Sequence, residues 1–185
     1  MINAIQSFDA SVLLLIQDNL RFPFLNFLMI LITKLGDGGL IWIATGLFFL
    51  VQKRTRRCGF VVLMCLLTAY LINDWGLKLL VARPRPYATI EGLSILVEPL
   101  SSYSFPSGHA NSSFAAASAL TFVFGKKGLF AYIPAVLIAF SRCYVGVHYP
   151  SDVIGGALVG TLVSLAVYII MTKSLKFEIN KRRCD

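Results

Sequence analysis

Six apolar stretches, at residues 22–35, 40–51, 58–80, 107–124, 129–147 and 153–171, follow one another along this chain, most of them joined by short polar or basic connections. Such a pattern leaves few folds open. A helix needs roughly 20 predominantly apolar residues to cross a membrane, and the last four of these stretches come close to that length. With 57% hydrophobic and 14% charged residues over 185 positions, the chain reads as one polytopic unit, residues 1–185, with no room for a second domain. The predicted fold is all-α, an integral membrane bundle of six transmembrane helices. Ahead of them, residues 3–20 carry Ile5, Phe8, Val12, Leu15 and Ile16 at helical spacing, with Gln6, Asp9, Gln17 and Asp18 elsewhere on the wheel. This suits an N-terminal amphipathic helix at the membrane surface or, equally, a helix packed on the bundle. No basic segment leading into a short apolar run and a cleavage site opens the chain, so no removable signal peptide is expected.

The first two stretches are each shorter than the roughly 20 residues a straight crossing needs. Gly36-Asp37-Gly38-Gly39 separates them, and the pair is expected to form a helical hairpin. The net charge of +8 raises nucleic acid as a partner, but the basic residues fall mainly between apolar segments, where the bias of cytoplasmic loops toward Lys and Arg explains them. No nucleic-acid partner is expected. Placing residues 53–57, Lys126-Lys127 and the tail with Lys173, Lys176, Lys181, Arg182 and Arg183 in the cytoplasm puts both termini inside. Lys78, Arg85, His109, Arg142 and His148 then emerge together at the outer face of a cell-membrane protein. Cys58, Cys65, Cys143 and Cys184 show neither paired spacing nor a metal-ligand pattern and are expected to be unpaired thiols. Residues 87–105 form the longest connection, a length typical of a lid or a substrate-facing loop.

The converging groups have a definite chemistry. Lys78, Arg83, Arg85 and Arg142, against Asp152 and Asp74, make a cationic pocket suited to a phosphate or pyrophosphate. Pro106-Ser107-Gly108 at the start of a helix adds N–H groups, a hydroxyl and the positive end of a helix dipole. Both histidines of the chain, His109 and His148, lie in this set, which allows one to attack phosphorus and the other to protonate the departing oxygen. Asp152, four residues after His148, can fix the tautomer of that imidazole and stabilise its charged form. Spacing alone does not decide which histidine attacks, beyond the nearness of Asp152. The excess positive charge would repel a divalent cation, and no metal-ligand motif occurs, so no metal and no cofactor are expected. The cations can instead stabilise the transition state.

Lys78-x6-Arg85-Pro86, Pro106-Ser107-Gly108-His109 and Ser141-Arg142-x5-His148-x3-Asp152 resemble the three signature motifs of the type 2 phosphatidic acid phosphatase superfamily, in order and at full spacing. The resemblance implies that His148 is a nucleophile forming a phosphohistidine, Asp152 its orienting partner and His109 the acid for the leaving group. It further implies that Lys78, Arg85, Ser107, Gly108 and Arg142 bind the phosphate. By the same resemblance the substrate is a lipid phosphate or pyrophosphate, with undecaprenyl pyrophosphate first and phosphatidylglycerophosphate or phosphatidic acid next. A lipid phosphotransferase and a non-catalytic lipid-phosphate carrier are the rival readings.

Overall fold

The computed structural model describes residues 2–174, and among these every regular element is helical. The basic tail at 176–183 lies outside the described residues. Helix α1 (Ile2–Leu20) docks on the bundle through Asp9, Leu13 and Ile16, spaced to share one face. Helix α2 (Pro23–Leu35) starts on a proline at its first position, where no N–H is needed. A single 3-10 turn, Asp37–Gly39, links it to α3 (Leu40–Val51), and Gly38 and Gly39 take positive φ values of 60° and 68° there.

The expected hairpin is not what forms. The axes of α2 and α3 differ by a bend of 45°, so the chain keeps its general direction and the two glycines kink it without reversing it. The start of α2 confirms the sense of travel: Arg21 donates from Nε and Nη2 to the carbonyl of Tyr144, at 3.0 and 2.7 Å, and from Nη1 to Ser94. This corrects the expected topology, because α1 and the beginning of α2 lie at the same end of the bundle as the long connection at 87–105. The N-terminal helix and the pocket residues therefore share one end.

Helix α4 (Arg56–Tyr70) runs on through a π-helical stretch, Leu71–Leu77, into α5 (Lys78–Val81). The wider turn re-phases the helix, burying Asn73 and Lys78 while Trp75 and Leu79 remain exposed. Helix α6 (Gly108–Phe124) is the centre of the bundle and packs on α4, α7 (Tyr132–Tyr144) and α8 (Pro150–Ile169). Its buried face is built from Ala115, Ala116, Ala117 and Ala119 with Ser113 and Ser118, the small residues that let helices approach without a solvent-driven core. Gly156 and Gly160 of α8 lie on its backbone, where an added Cβ would strike the carbonyls of Ser107 and Asn111. The small-xxx-small pair is an intramolecular contact. The chain reverses between α6 and α7, since Phe114 and Tyr132 have ring centroids 5.7 Å apart, where 18 residues of straight helix would separate them by about 27 Å.

By length and composition three helical stretches, Arg56–Ala88, Gly108–Tyr144 and Pro150–Lys173, suffice to cross a membrane, or four if the bent α2–α3 pair counts as one. Phe24, Phe48, Trp75, Leu80, Phe130, Ile133, Ile154 and Leu162 are all exposed, an apolar surface that water would not tolerate over such an extent. Cys65 and Cys143 are free and buried, as expected. Cys58 instead is disulfide-bonded, which spacing along the chain could not reveal.

Candidate active site

The connection 145–149 between α7 and α8 holds His148 2% exposed. Its Nδ1 lies 3.5 Å from Asp152 Oδ2 and 3.5 Å from Ser104 Oγ, and its Nε2 lies 3.3 Å from Arg85 Nη1. With the proton on Nδ1 and directed at Asp152, Nε2 presents a lone pair toward the cationic wall. Burial, reinforced by the charges of Arg142 and Arg85 and opposed by the hydrogen bond to Asp152, pushes the pKa of His148 down to about 3. The ring is thus neutral near pH 7, the state in which an imidazole nitrogen has a lone pair to offer.

Asp152 belongs to the first turn of α8, which starts at Pro150. Its Oδ2 accepts from the N–H of Tyr149 at 3.0 Å and from the Ser104 hydroxyl, and its Oδ1 accepts from Arg83 Nη1 at 2.6 Å. Both oxygens of a fully buried carboxylate are thereby engaged.

Arg85 is fixed from behind, donating to Ser102 O at 2.8 Å, Val147 O at 2.9 Å and Ser102 Oγ at 3.0 Å. Arg142, in the last turn of α7, donates from Nη1 to Thr33 Oγ1 at 2.5 Å. Lys78 Nζ meets Asp74 Oδ1 at 2.5 Å. Gly108 opens α6 beside this pair, with any Cβ there falling 3.5 Å from Lys78 Nζ. His109 follows, its Nε2 3.0 Å from Asp37 Oδ1 and 3.2 Å from the Thr33 carbonyl. Among the described residues two buried donors have no hydrogen-bond partner, Ser107 Oγ and Arg142 Nε, and the amide oxygens of Asn73 and Asn111 lack one as well. Orphaned polar atoms in a buried position are rare unless a ligand completes them.

Lys78, Arg85, Gly108, His109, Arg142 and His148 all line one cavity of about 840 Å³. Ser107 and Asp152 lie in the wall behind it, buried. Away from the charged end, the cavity is lined by Ile43 of α3 and by Leu63, Leu66, Leu67 and Tyr70 of α4, an apolar extension of the kind an acyl or prenyl tail needs. Among the described residues no group of three or more His, Cys, Asp or Glu side chains is arranged to hold a metal ion.

One expected member of the phosphate-facing ring is placed differently. Arg83 points away from the cavity, its Nη1 bound to Asp152 and its Nη2 to Asp9 Oδ2 at 2.8 Å. Several partners escaped the sequence reading: Ser104 on Asp152, Thr33 on Arg142, Asp37 on His109 and Asp9 on Arg83. Asp37 carried a signal, an acid interrupting an apolar run; Ser104 and Thr33 carried none. The connection at 87–105 is also less free than a lid, tied by Leu96 N–H to Val145 O, by Tyr87 to Leu100 and by Gln17 to Gly92 and Ser94.

The PAP2 superfamily model matches residues 59–176. Over 154 residues the chain is 35% identical to an undecaprenyl-diphosphatase of Sulfolobus acidocaldarius, covering 82% of this chain and 74% of that protein. It is 33% identical over 186 residues to phosphatidylglycerophosphatase B of Bacillus subtilis, covering 89% and 84%. The crystal structure of a transmembrane PAP2-type phosphatidylglycerolphosphate phosphatase from Bacillus subtilis superposes with a TM-score of 0.77 at 31% identity, over 95% of this chain and 90% of that one.

Proposed function

Since the chain belongs to the PAP2 superfamily and its relatives are membrane lipid phosphatases, we propose that it hydrolyses the phosphate or diphosphate headgroup of a membrane lipid through a phosphohistidine on His148. The observation that carries this reading is the neutral His148 imidazole lining the same cavity as Arg142, whose buried Nε has no hydrogen-bond partner, with the equally unpartnered Ser107 Oγ buried in the wall behind. In the first step the Nε2 lone pair forms a bond to phosphorus while the bond from phosphorus to the lipid oxygen breaks. That oxygen takes the proton of His109. Water then attacks the phosphohistidine, yielding a proton to His109 as the nitrogen–phosphorus bond breaks and orthophosphate leaves. Lys78, Arg85, Arg142, the Ser107 hydroxyl and the Gly108 N–H hold the phosphoryl oxygens, and the cations balance charge that a metal ion balances elsewhere. Asp152 holds the proton of Nδ1 and faces the imidazolium as it forms.

The preferred substrate is undecaprenyl pyrophosphate, supported by the name of the Sulfolobus relative and by an apolar groove continuous with a pocket of several cations. Phosphatidylglycerophosphate is the alternative that the Bacillus relative supports. For topology, we propose a single unit with five crossings: the bent α2–α3 pair, α4–α5, α6, α7 and α8. Lys53, Arg54, Arg56, Lys126 and Lys173 belong to the end opposite the pocket, which the positive-inside bias makes cytoplasmic. The pocket and α1 then face outward, α1 lying at the interface with Ile5, Phe8 and Leu15 toward lipid.

The test is phosphate release by the purified protein from a panel of lipid phosphates and diphosphates in excess chelator. Turnover of at least one lipid, fastest on undecaprenyl pyrophosphate, is expected. Activity that vanishes on chelation and returns with added metal overturns the metal-free scheme, and a faster monoester overturns the substrate choice.

A further inference from the structure

Behind Asp152 a buried ionic chain extends one helix further than the proposed chemistry uses. Asp9 of α1 is 1% exposed. Its Oδ2 accepts from Arg83 Nη2 at 2.8 Å and from the Ser151 hydroxyl, and its Oδ1 accepts from the N–H of Ser151 at 3.0 Å. Arg83 gives its other nitrogen, Nη1, to Asp152 Oδ1 and to Ser151 Oγ at 2.8 Å, and its guanidinium lies 3.8 Å over the ring of Tyr149. The remaining oxygen of Asp152 faces His148. A continuous line of groups, Asp9 to Arg83 to Asp152 to His148, thus connects the N-terminal helix to the reacting imidazole.

We propose that Asp9 is a positioning residue for phosphoryl transfer, setting through Arg83 the net charge that Asp152 presents to His148; this rests on the phosphatase reading above. A tether between α1 and α8 is the simpler role, and counting charges separates the two. Two carboxylates flank one guanidinium, so the trio carries one net negative charge. It lies behind a ring that becomes positive as its Nε2 bonds to phosphorus. On the other side of that ring stand Arg85 and Arg142, whose charges oppose a positive imidazole. With Asp9 neutral, the whole charge of Arg83 falls on Asp152, the trio becomes neutral, and the forming phosphoimidazolium loses its counter-charge. In a buried site of low effective dielectric, that loss is felt over several ångströms. The planar guanidinium of Arg83, with one nitrogen on each carboxylate, and its position over the Tyr149 ring keep the three groups in register.

The experiment is steady-state phosphate release by the full-length protein in detergent, on a lipid that the wild type turns over. Asp9→Asn is expected to lower kcat about ten- to hundredfold with KM changed less than about twofold, the pattern of a group acting on the chemical step alone. Asp9→Glu keeps the charge and is expected to recover part of that loss. The deciding variant is Asp9→Asn with Arg83→Gln, which leaves Asp152 as the single negative charge. It is expected to regain at least about tenfold in kcat over Asp9→Asn, a coupling of favourable sign. A tether predicts the reverse, because the double variant keeps even less of the anchor. A double variant no better than the single one, an unchanged kcat in Asp9→Asn, or an effect on KM alone overturns the proposal. Should Asp9→Asn fail to fold by thermal melting, the double variant is judged against the wild type: a kcat within about tenfold supports the charge role, and a larger loss overturns it. A wild type silent on every lipid phosphate defeats the phosphatase reading, whereas an active wild type matched by Asp9→Asn defeats only the role given to Asp9.

Discussion

The two histidines share one cavity and are held in opposite ways. His148 is locked: 2% exposed, on a five-residue connection, against a carboxylate that is itself engaged by Arg83, Ser104 and the Tyr149 N–H. His109 is held more loosely, on the first turn of α6, by the Thr33 carbonyl and by Asp37, whose side chain is 59% exposed. Asp37 itself rides on the kink between α2 and α3. The contrast suits the roles proposed above for the two rings. A nucleophile must meet phosphorus along one line, so its neighbours are rigid and buried. A proton donor must follow an oxygen whose position depends on the lipid, and it must reload from water, so it stands at the more open side.

The largest effect should come from the locked half. His148→Asn removes the bond-forming atom, and kcat should fall by more than about 10⁴-fold, with no phosphoenzyme trapped from labelled substrate. Retention of more than a trace of turnover, or labelling of the variant, would show that His148 is not the nucleophile and would reverse the roles assigned to the two rings.

The looser half should respond according to the leaving group. His109→Gln is expected to cost about 10²- to 10⁴-fold on a monoester lipid phosphate, whose departing alkoxide needs a proton. On a lipid diphosphate the departing group is a phosphate, a far weaker base, and the cost should shrink to about tenfold. Equal losses on both substrates would mean that His109 binds or positions the phosphate and does not protonate the leaving oxygen.

The same contrast marks what could be read from the chain. The motif residues Lys78, Arg85, Gly108, His109, Arg142 and His148 converge in one cavity because each lies at a helix end, and polar residues at the ends of apolar runs are visible in a sequence. Their supports are not visible. Ser104, Thr33 and Asp9 are single polar residues in segments without pattern, and their partners sit 109 residues away in the case of Thr33 and Arg142. The π-helical stretch that buries Lys78 leaves no mark on apolar spacing. The glycines at 38 and 39 announce positive φ, yet a reversal and a 45° kink use the same backbone freedom. The measured bend and the contacts of Arg21 with Tyr144 and Ser94, at the pocket end, distinguish them.

The smallest effect is the response of the locked half to acid. His148 titrates near 6.5 when unfolded and is pushed to about 3 in the fold by burial, with Arg142 and Arg85 adding to the effect and Asp152 opposing it. Between those values the unfolded chain binds a proton that the folded one refuses, so stability is complete above about pH 6.5 and declines as pH falls toward 3. His148→Gln removes the titrating group while leaving the carboxylates in place. Melting in detergent at pH 7 and pH 4.5 should therefore show a smaller acid-induced drop in Tm for the variant than for the wild type. An equal drop in both would mean that the His148 ring accepts a proton inside the fold, and that the locked half of the site is more open to water than its burial indicates.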